Sequence, residues 1–210
     1  MHPCWRARAT AVAREDGHSL WRAKMMTLLL SLVCVLVSAC ADVEPAVTTR
    51  GVDEAAVNAL RKSAEQGNAT AQNRLGLLYN QGQGLPQDPM LAKQWFEKAA
   101  EQGDAGAQVN LGTLFLLGQG ALESDQMALF WFRRAAEQQE PLAFAKLGFM
   151  YERGRGVPQD FIQAHMWYTL SAAQGEKRAL ASRDTLAKQM TPAQVAAAQQ
   201  LAREWKPKPK

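Results

Sequence analysis

Ala71–Asp88 reads AQNRLGLLYNQGQGLPQD, and Ala92–Gly103 reads AKQWFEKAAEQG. Together they make one unit that recurs along the chain at a spacing of 36 residues. Leu75-Gly76 returns as Leu111-Gly112 and Leu147-Gly148. Gly82 and Gly84 return as Gly118 and Gly120, then as Gly154 and Gly156. Ala92 and Trp95 return as Ala128 and Trp131, then as Ala164 and Trp167, with each tryptophan followed by an aromatic residue (Phe96, Phe132, Tyr168). A fixed period with no insertion marks stacked supersecondary units, each unable to bury its apolar face alone.

Each unit reads as two antiparallel helices. Asn68 and Asp104 stand where side-chain oxygens would cap a first helix, and Pro141 suits the first helical position of the third copy. Helix A is predicted over 69–81, 105–117 and 141–153, ended by the first glycine of each pair, with the second glycine loosening the turn. Asp88 and Asp160 are predicted to cap helix B, which runs through the tryptophan to Gly67, Gly103 or Gly175. The second copy has Ala121-Leu122-Glu123-Ser124 in place of the Pro-Gln-Asp turn, and Phe115 in place of the tyrosine. Glycine within a helix costs about 1 kcal/mol relative to alanine, so Gly76, Gly112 and Gly148 imply a second helix backbone passing close by. The three tryptophans are expected to fill the space between units.

This pattern resembles the Sel-one-like repeat family, relatives of the tetratricopeptide repeats. The resemblance rests on the two stretches quoted and on LGFMYERGRGVPQD (Leu147–Asp160), and it extends from Val52 to about Trp205. It implies an all-α, right-handed solenoid of antiparallel helix pairs over residues 52–190, with full repeats at 68–103, 104–139 and 140–175. A lone helix B (52–67) precedes them, a final helix A (176–190) follows, and a capping helix over 191–206 closes the chain.

The first 51 residues need a different account. Met25–Ala39 is an apolar run of fifteen preceded by Arg22 and Lys24. A helix of that length spans roughly 22 Å, short of the ~30 Å hydrocarbon core, and suits an export signal better than a permanent span. Val37-Ser38-Ala39-Cys40 resembles the lipobox of bacterial lipoproteins, so residues 1–39 are expected to be a signal peptide and Cys40 a lipidated N-terminus, acylated as in that class. Residues 40–51 would be the lipidated cysteine and its linker, whose eleven residues after Cys40 reach at most about 36 Å. Localisation would be the bacterial envelope, facing the periplasm; by the family's sorting rule, Ala41 after the cysteine points to the outer membrane. Cys4 and Cys34 would leave with the signal, so no disulfide is expected.

Chemistry is sparse. The net charge of +4 suggests a nucleic-acid partner until it is located. Residues 1–39 hold five of the 24 basic and two of the 20 acidic side chains, which leaves the rest within one charge of neutral and argues against nucleic acid. The Gly-Gln-Gly turns join helix to helix and lack a third glycine, so they are not phosphate loops. Glu65, Glu101 and Glu137 recur in register, as architecture does. His165 is the sole histidine after Cys40 and reads as a surface or half-buried residue, its equivalents being Lys93 and Leu129. With so few parts, neither a metal site, a cofactor nor a nucleophilic triad is expected. Cysteine-rich relatives are linked to penicillin binding or β-lactam hydrolysis; this chain lacks their paired cysteines and any SxxK serine.

The expected function is therefore non-catalytic: a scaffold binding a protein or peptide partner near the membrane. The alternatives are an enzyme acting on cell-wall peptide or β-lactam, and a structural subunit of an envelope assembly. In tetratricopeptide relatives helix A lines the concave face, and that resemblance places partner-binding positions at Thr70, Asn73, Leu77 and Asn80. The second copy gives Gly106, Val109, Thr113 and Leu116; the third gives Leu142, Ala145, Phe149 and Glu152. Val109, Leu116, Leu142 and Phe149 would form an apolar stripe for gripping a partner or would pack against one another.

Overall fold

The computed structural model describes residues 53–207, and among them the secondary structure is helix and turn with no strand. The helices are α1 (Glu54–Glu65), α2 (Ala69–Gln81), α3 (Pro89–Glu101), α4 (Ala105–Leu117), α5 (Asp125–Ala136), α6 (Pro141–Arg153), α7 (Phe161–Ala173), α8 (Lys177–Ala187) and α9 (Pro192–Glu204). The paired helices α2–α3, α4–α5 and α6–α7 pack within each unit, and successive units stack through α3–α4 and α5–α6. The lone first helix, the final helix A and the closing helix are each one to three residues shorter at an end than the sequence suggests.

Short polar side chains start these helices by occupying backbone N–H groups that no preceding turn can satisfy. Asn68 accepts from the amide of Ala71 at 2.9 Å and Asp104 from that of Ala107 at 2.7 Å. Asp88 and Asp160 do the same for α3 and α7. In the second unit Ser124 takes over, accepting from Met127 at 3.3 Å, so α5 begins without a Pro-Gln-Asp turn.

That divergent turn is stabilised from outside. In the first and third units a glutamine amide, Gln87 or Gln159, donates to the last-turn carbonyl of its own helix A, at Asn80 (2.9 Å) or Glu152 (2.8 Å). The second unit has Glu123 there, which cannot donate. Arg155 of the third unit supplies the donor, reaching the Leu116 carbonyl at 3.4 Å while pairing with Glu123 and, at 2.5 Å, with Asp125.

The helix-A glycines have a different neighbour from the one expected. A Cβ on Gly76 or Gly112 would lie 2.7 Å from the ring of Phe96 or Phe132, and one on Gly148 would lie 2.6 Å from the ring of Tyr168. The space is filled by a ring of the partner helix, with a backbone atom (Ala128 O) a secondary contact only at Gly112. Phe96, Phe132 and Tyr168 are accordingly the buried plugs of the three units. Of the tryptophans, Trp131 is buried, whereas Trp95 and Trp167 are half-buried. The second glycine of a turn does more than loosen it. A Cβ on Gly120 would collide with the Pro89 carbonyl, because the turn of one unit lies directly on the start of helix B in the unit before.

Units are also joined by buried amides. Gln72 donates to the Ala64 carbonyl at 3.0 Å and Gln108 to that of Ala100 at 3.1 Å. Each is held in turn by a glutamine at the end of helix B in its own unit, Gln102 at 2.6 Å and Gln138 at 2.9 Å. In the third unit Phe144 occupies this register position and packs among Trp167 and Trp205. The Ser171 hydroxyl, donating to the Pro141 carbonyl at 2.7 Å, supplies a polar link there. Helix α9, started by a reciprocal Thr191–Gln194 capping box, packs on α7, which brings Trp205 onto this aromatic cluster.

Candidate protein-interaction surface

The twelve positions singled out on helix A separate into three groups. Val109 and Leu116 are 4% and 5% exposed and belong to the core shared with Phe144, Leu147 and Met150. They pack between units and are not open to a partner. The continuous four-residue stripe is therefore corrected: stacking the third unit covers its second-unit half.

A second group is occupied by hydrogen bonds within the chain, those of Asn73 between units. The Asn73 amide donates to Asp104 at 3.0 Å, and its oxygen accepts from Asn110 at 2.9 Å. Gly106 is small because that amide sits 2.9 Å from where its Cβ would be. The Thr113 hydroxyl donates back to the Val109 carbonyl at 2.8 Å. Glu152 accepts from the Tyr168 hydroxyl at 2.8 Å. Burial and then this bond to Glu152 push the Tyr168 phenol well above its ordinary range, so it stays a neutral donor.

The third group remains open. Leu142 is 47% exposed, and Phe149 and Ala145 are half-buried. Spaced at i, i+3 and i+7 on α6, they lie along one face of that helix. Leu77 and Asn80 are half-buried in the first unit, Leu77 against the core formed by Phe96 and Leu111. Thr70 is exposed. Beside this face Lys146 is half-buried, and burial followed by the charge of Arg178 lowers its pKa. Cys40 lies outside the described residues.

Two features escape the sequence. His165 is 2% exposed, neither surface nor half-buried as expected. It lies near Arg183 and Asp184, and burial lowers its pKa below 6.5, with Arg183 adding to the shift and Asp184 opposing it. The second feature is a groove of about 260 Å³ lined by Arg133, Ala136, Glu137, Trp167, Trp205 and Lys206. One signal for it was visible: Phe144 breaks the register of buried glutamines. Its consequence depended on where α9 packs, which no repeat spacing predicts.

Among the described residues no group of three or more His, Cys, Asp or Glu side chains is arranged to hold a metal. No described helix is long and apolar enough to cross a membrane.

The family model for the Sel1 repeat matches residues 69–104, 105–140 and 141–176. No curated protein matches the chain. A protective antigen of uropathogenic Escherichia coli strains, whose crystal structure displays an SLR fold, is similar at a TM-score of 0.68 and 36% identity over 73% of this chain and 33% of that one. A Sel1 repeat protein from Oxalobacter formigenes is similar at a TM-score of 0.57 and 38% identity, over 62% of this chain and 54% of that one. The chain thus spans a third of the length of the first and about half that of the second.

Proposed function

The chain belongs to the Sel1-repeat family, and from that premise we propose that it is a non-catalytic scaffold held at a bacterial envelope membrane by lipid on Cys40, binding a peptide or protein partner. Repeats of this family mediate protein–protein interactions. The observation that carries the reading is the α6 face of Leu142, Ala145 and Phe149, which keeps apolar surface open while Val109 and Leu116 go to the core. Leu77, Asn80, Thr113 and Glu152 hold the corresponding helix-A positions by the family's register, and Asn73 contributes by fixing the first two units relative to each other. An apolar strip on a solenoid face suits a partner helix or extended segment.

A photo-crosslinking residue at Leu142, in the native envelope, is expected to capture one partner in defined ratio to the chain. Leu142→Glu, at the exposed end of the strip, should abolish co-purification of that partner without lowering the melting temperature. Failure of every position along the strip to crosslink would remove this face as the binding site. For the anchor, mass spectrometry should find a mature chain beginning at an acylated Cys40, and Cys40→Ala should leave an unprocessed precursor. Normal cleavage without lipid in the unaltered chain would end the anchor reading.

A further inference from the structure

The groove beside Trp205 arises where the repeat breaks. In the first two units a buried glutamine seals the contact with the preceding helix B; in the third, Phe144 stands in its place and cannot. Phe144 stacks on Trp167 with ring centres 5.8 Å apart, and Trp205 meets both edge-on, at 5.1 Å from Phe144 and 5.8 Å from Trp167. Phe144 is fully buried, but the two tryptophans remain half-open and, with Ala136, form an apolar floor. The equivalent tryptophan one unit earlier, Trp131, is only 8% exposed. Trp95 of the first unit is half-buried as well, but only at the third unit does a closing helix bring a second indole, Trp205, beside the repeat tryptophan.

Size and charge define what fits. At about 260 Å³ the groove is smaller than a drug-sized ligand pocket and matches one aromatic side chain. Edge-on aromatic walls favour an inserted ring over an aliphatic chain. The rim carries the exposed cations Arg133 and Lys206 against the single carboxylate Glu137, which has an interaction of its own. A rim of this sign selects acidic neighbours and repels basic ones.

We propose that this groove is a docking site for an acidic segment of a partner protein that inserts one aromatic side chain between Ala136, Trp167 and Trp205, with flanking carboxylates on Arg133 and Lys206. It shares no residue with the α6 strip and stands or falls apart from it.

The test uses the full chain and three capped pentapeptides, Glu-Glu-Phe-Glu-Glu, Glu-Glu-Ala-Glu-Glu and Lys-Lys-Phe-Lys-Lys, followed through the indole N–H signals of Trp167 and Trp205 by NMR. The acidic phenylalanine peptide should shift both signals saturably, and raising salt to about 0.5 M should weaken it roughly tenfold. The other two peptides should leave the signals in place. Arg133→Glu with Lys206→Glu should weaken binding at least about tenfold, with retained helical circular dichroism showing that the fold survives the loss of the Arg133–Tyr151 bond. The proposal is overturned if no peptide shifts the indoles, if the basic peptide binds as well as the acidic one, or if the double variant binds normally. It is equally overturned if deleting residues 207–210 shifts the indoles without peptide, which would make the chain's own tail the occupant. Signals that move with protein concentration alone would make a second copy the occupant, and would overturn it as well.

Discussion

The two junctions between the three units share one register and use different chemistry. Between the first and second units buried hydrogen bonds add to the apolar contact of Phe96 with Leu111: Asn73 bridges Asp104 and Asn110, and buried Gln108 spans to Ala100. Between the second and third, Val109 replaces Asn73 and Phe144 replaces the glutamine, and both are buried among Leu116, Leu147 and Met150. Hydrogen bonds fix geometry with modest net gain, whereas apolar burial contributes more free energy with less directional control. The first junction thus has more directional bonds fixing its geometry, and the second has apolar burial at the same register positions. Arg155, reaching back to Leu116 and Glu123, restores to the second junction part of the directionality it lost.

That division is broken most severely at Phe144. Phe144→Ala should cost about 3–5 kcal/mol in urea unfolding, since it empties a fully buried site and removes the floor from under Trp167 and Trp205. At the polar junction, Gln108→Ala should cost less, roughly 2 kcal/mol, through unsatisfied partners at Ala100 and Gln138 rather than lost volume. If the two losses came out equal, or in reverse order, the ring at this register position would not contribute more than the amide.

The extent to which sequence revealed this follows from the same contrast. Helices α2, α4 and α6 were legible to the residue, because Asn68, Asp104 and Pro141 start them and a turn glycine ends each one. Local chemistry decides such boundaries, and local chemistry is written in the chain. The neighbours of Gly76, Gly112 and Gly148 were not legible, because a mid-helix glycine reports that space is filled without saying by what. Nor was the burial of Val109 and Leu116. An apolar residue at a helix-A register position looks the same whether it faces a partner or the next unit. The packing of α9 on α7, which creates the Trp205 groove, lies after the last repeat and so outside the pattern altogether.

A smaller effect sharpens the comparison at the ends of the units. The turn after the first unit has Gly103, with φ of 97°, where the second unit has Gln139, held at φ of 62°. A side chain in the left-handed region is strained by roughly 1–2 kcal/mol, partly offset by the greater freedom glycine loses on folding. Gln139→Gly should therefore stabilise the chain by about 0.5–1 kcal/mol in thermal unfolding. A destabilisation would mean that the Gln139 side chain holds the second junction by a contact outweighing its backbone strain.

The smallest effect lies one step further, where the third unit meets α8. His165 is buried there, with Arg183 and Asp184 as the charged groups near its ring and the Thr169 oxygen 3.4 Å from Nδ1. Burial, and then Arg183, disfavour the imidazolium, so the folded chain holds this proton less tightly than the unfolded chain does. The unfolded state gains the proton first as pH falls through about 6.5. The contribution is thus fully present above that pH and declines below it toward the lowered folded value. His165→Leu, which places in the third unit the residue that Leu129 supplies in the second, removes the titration. Melting temperatures at about pH 7.5 and pH 5.5, above the range in which ordinary carboxylates titrate, should differ more for the unaltered chain than for this variant. Equal differences would mean that His165 keeps its ordinary affinity for the proton, and that the contact between α7 and α8 does not depend on its charge.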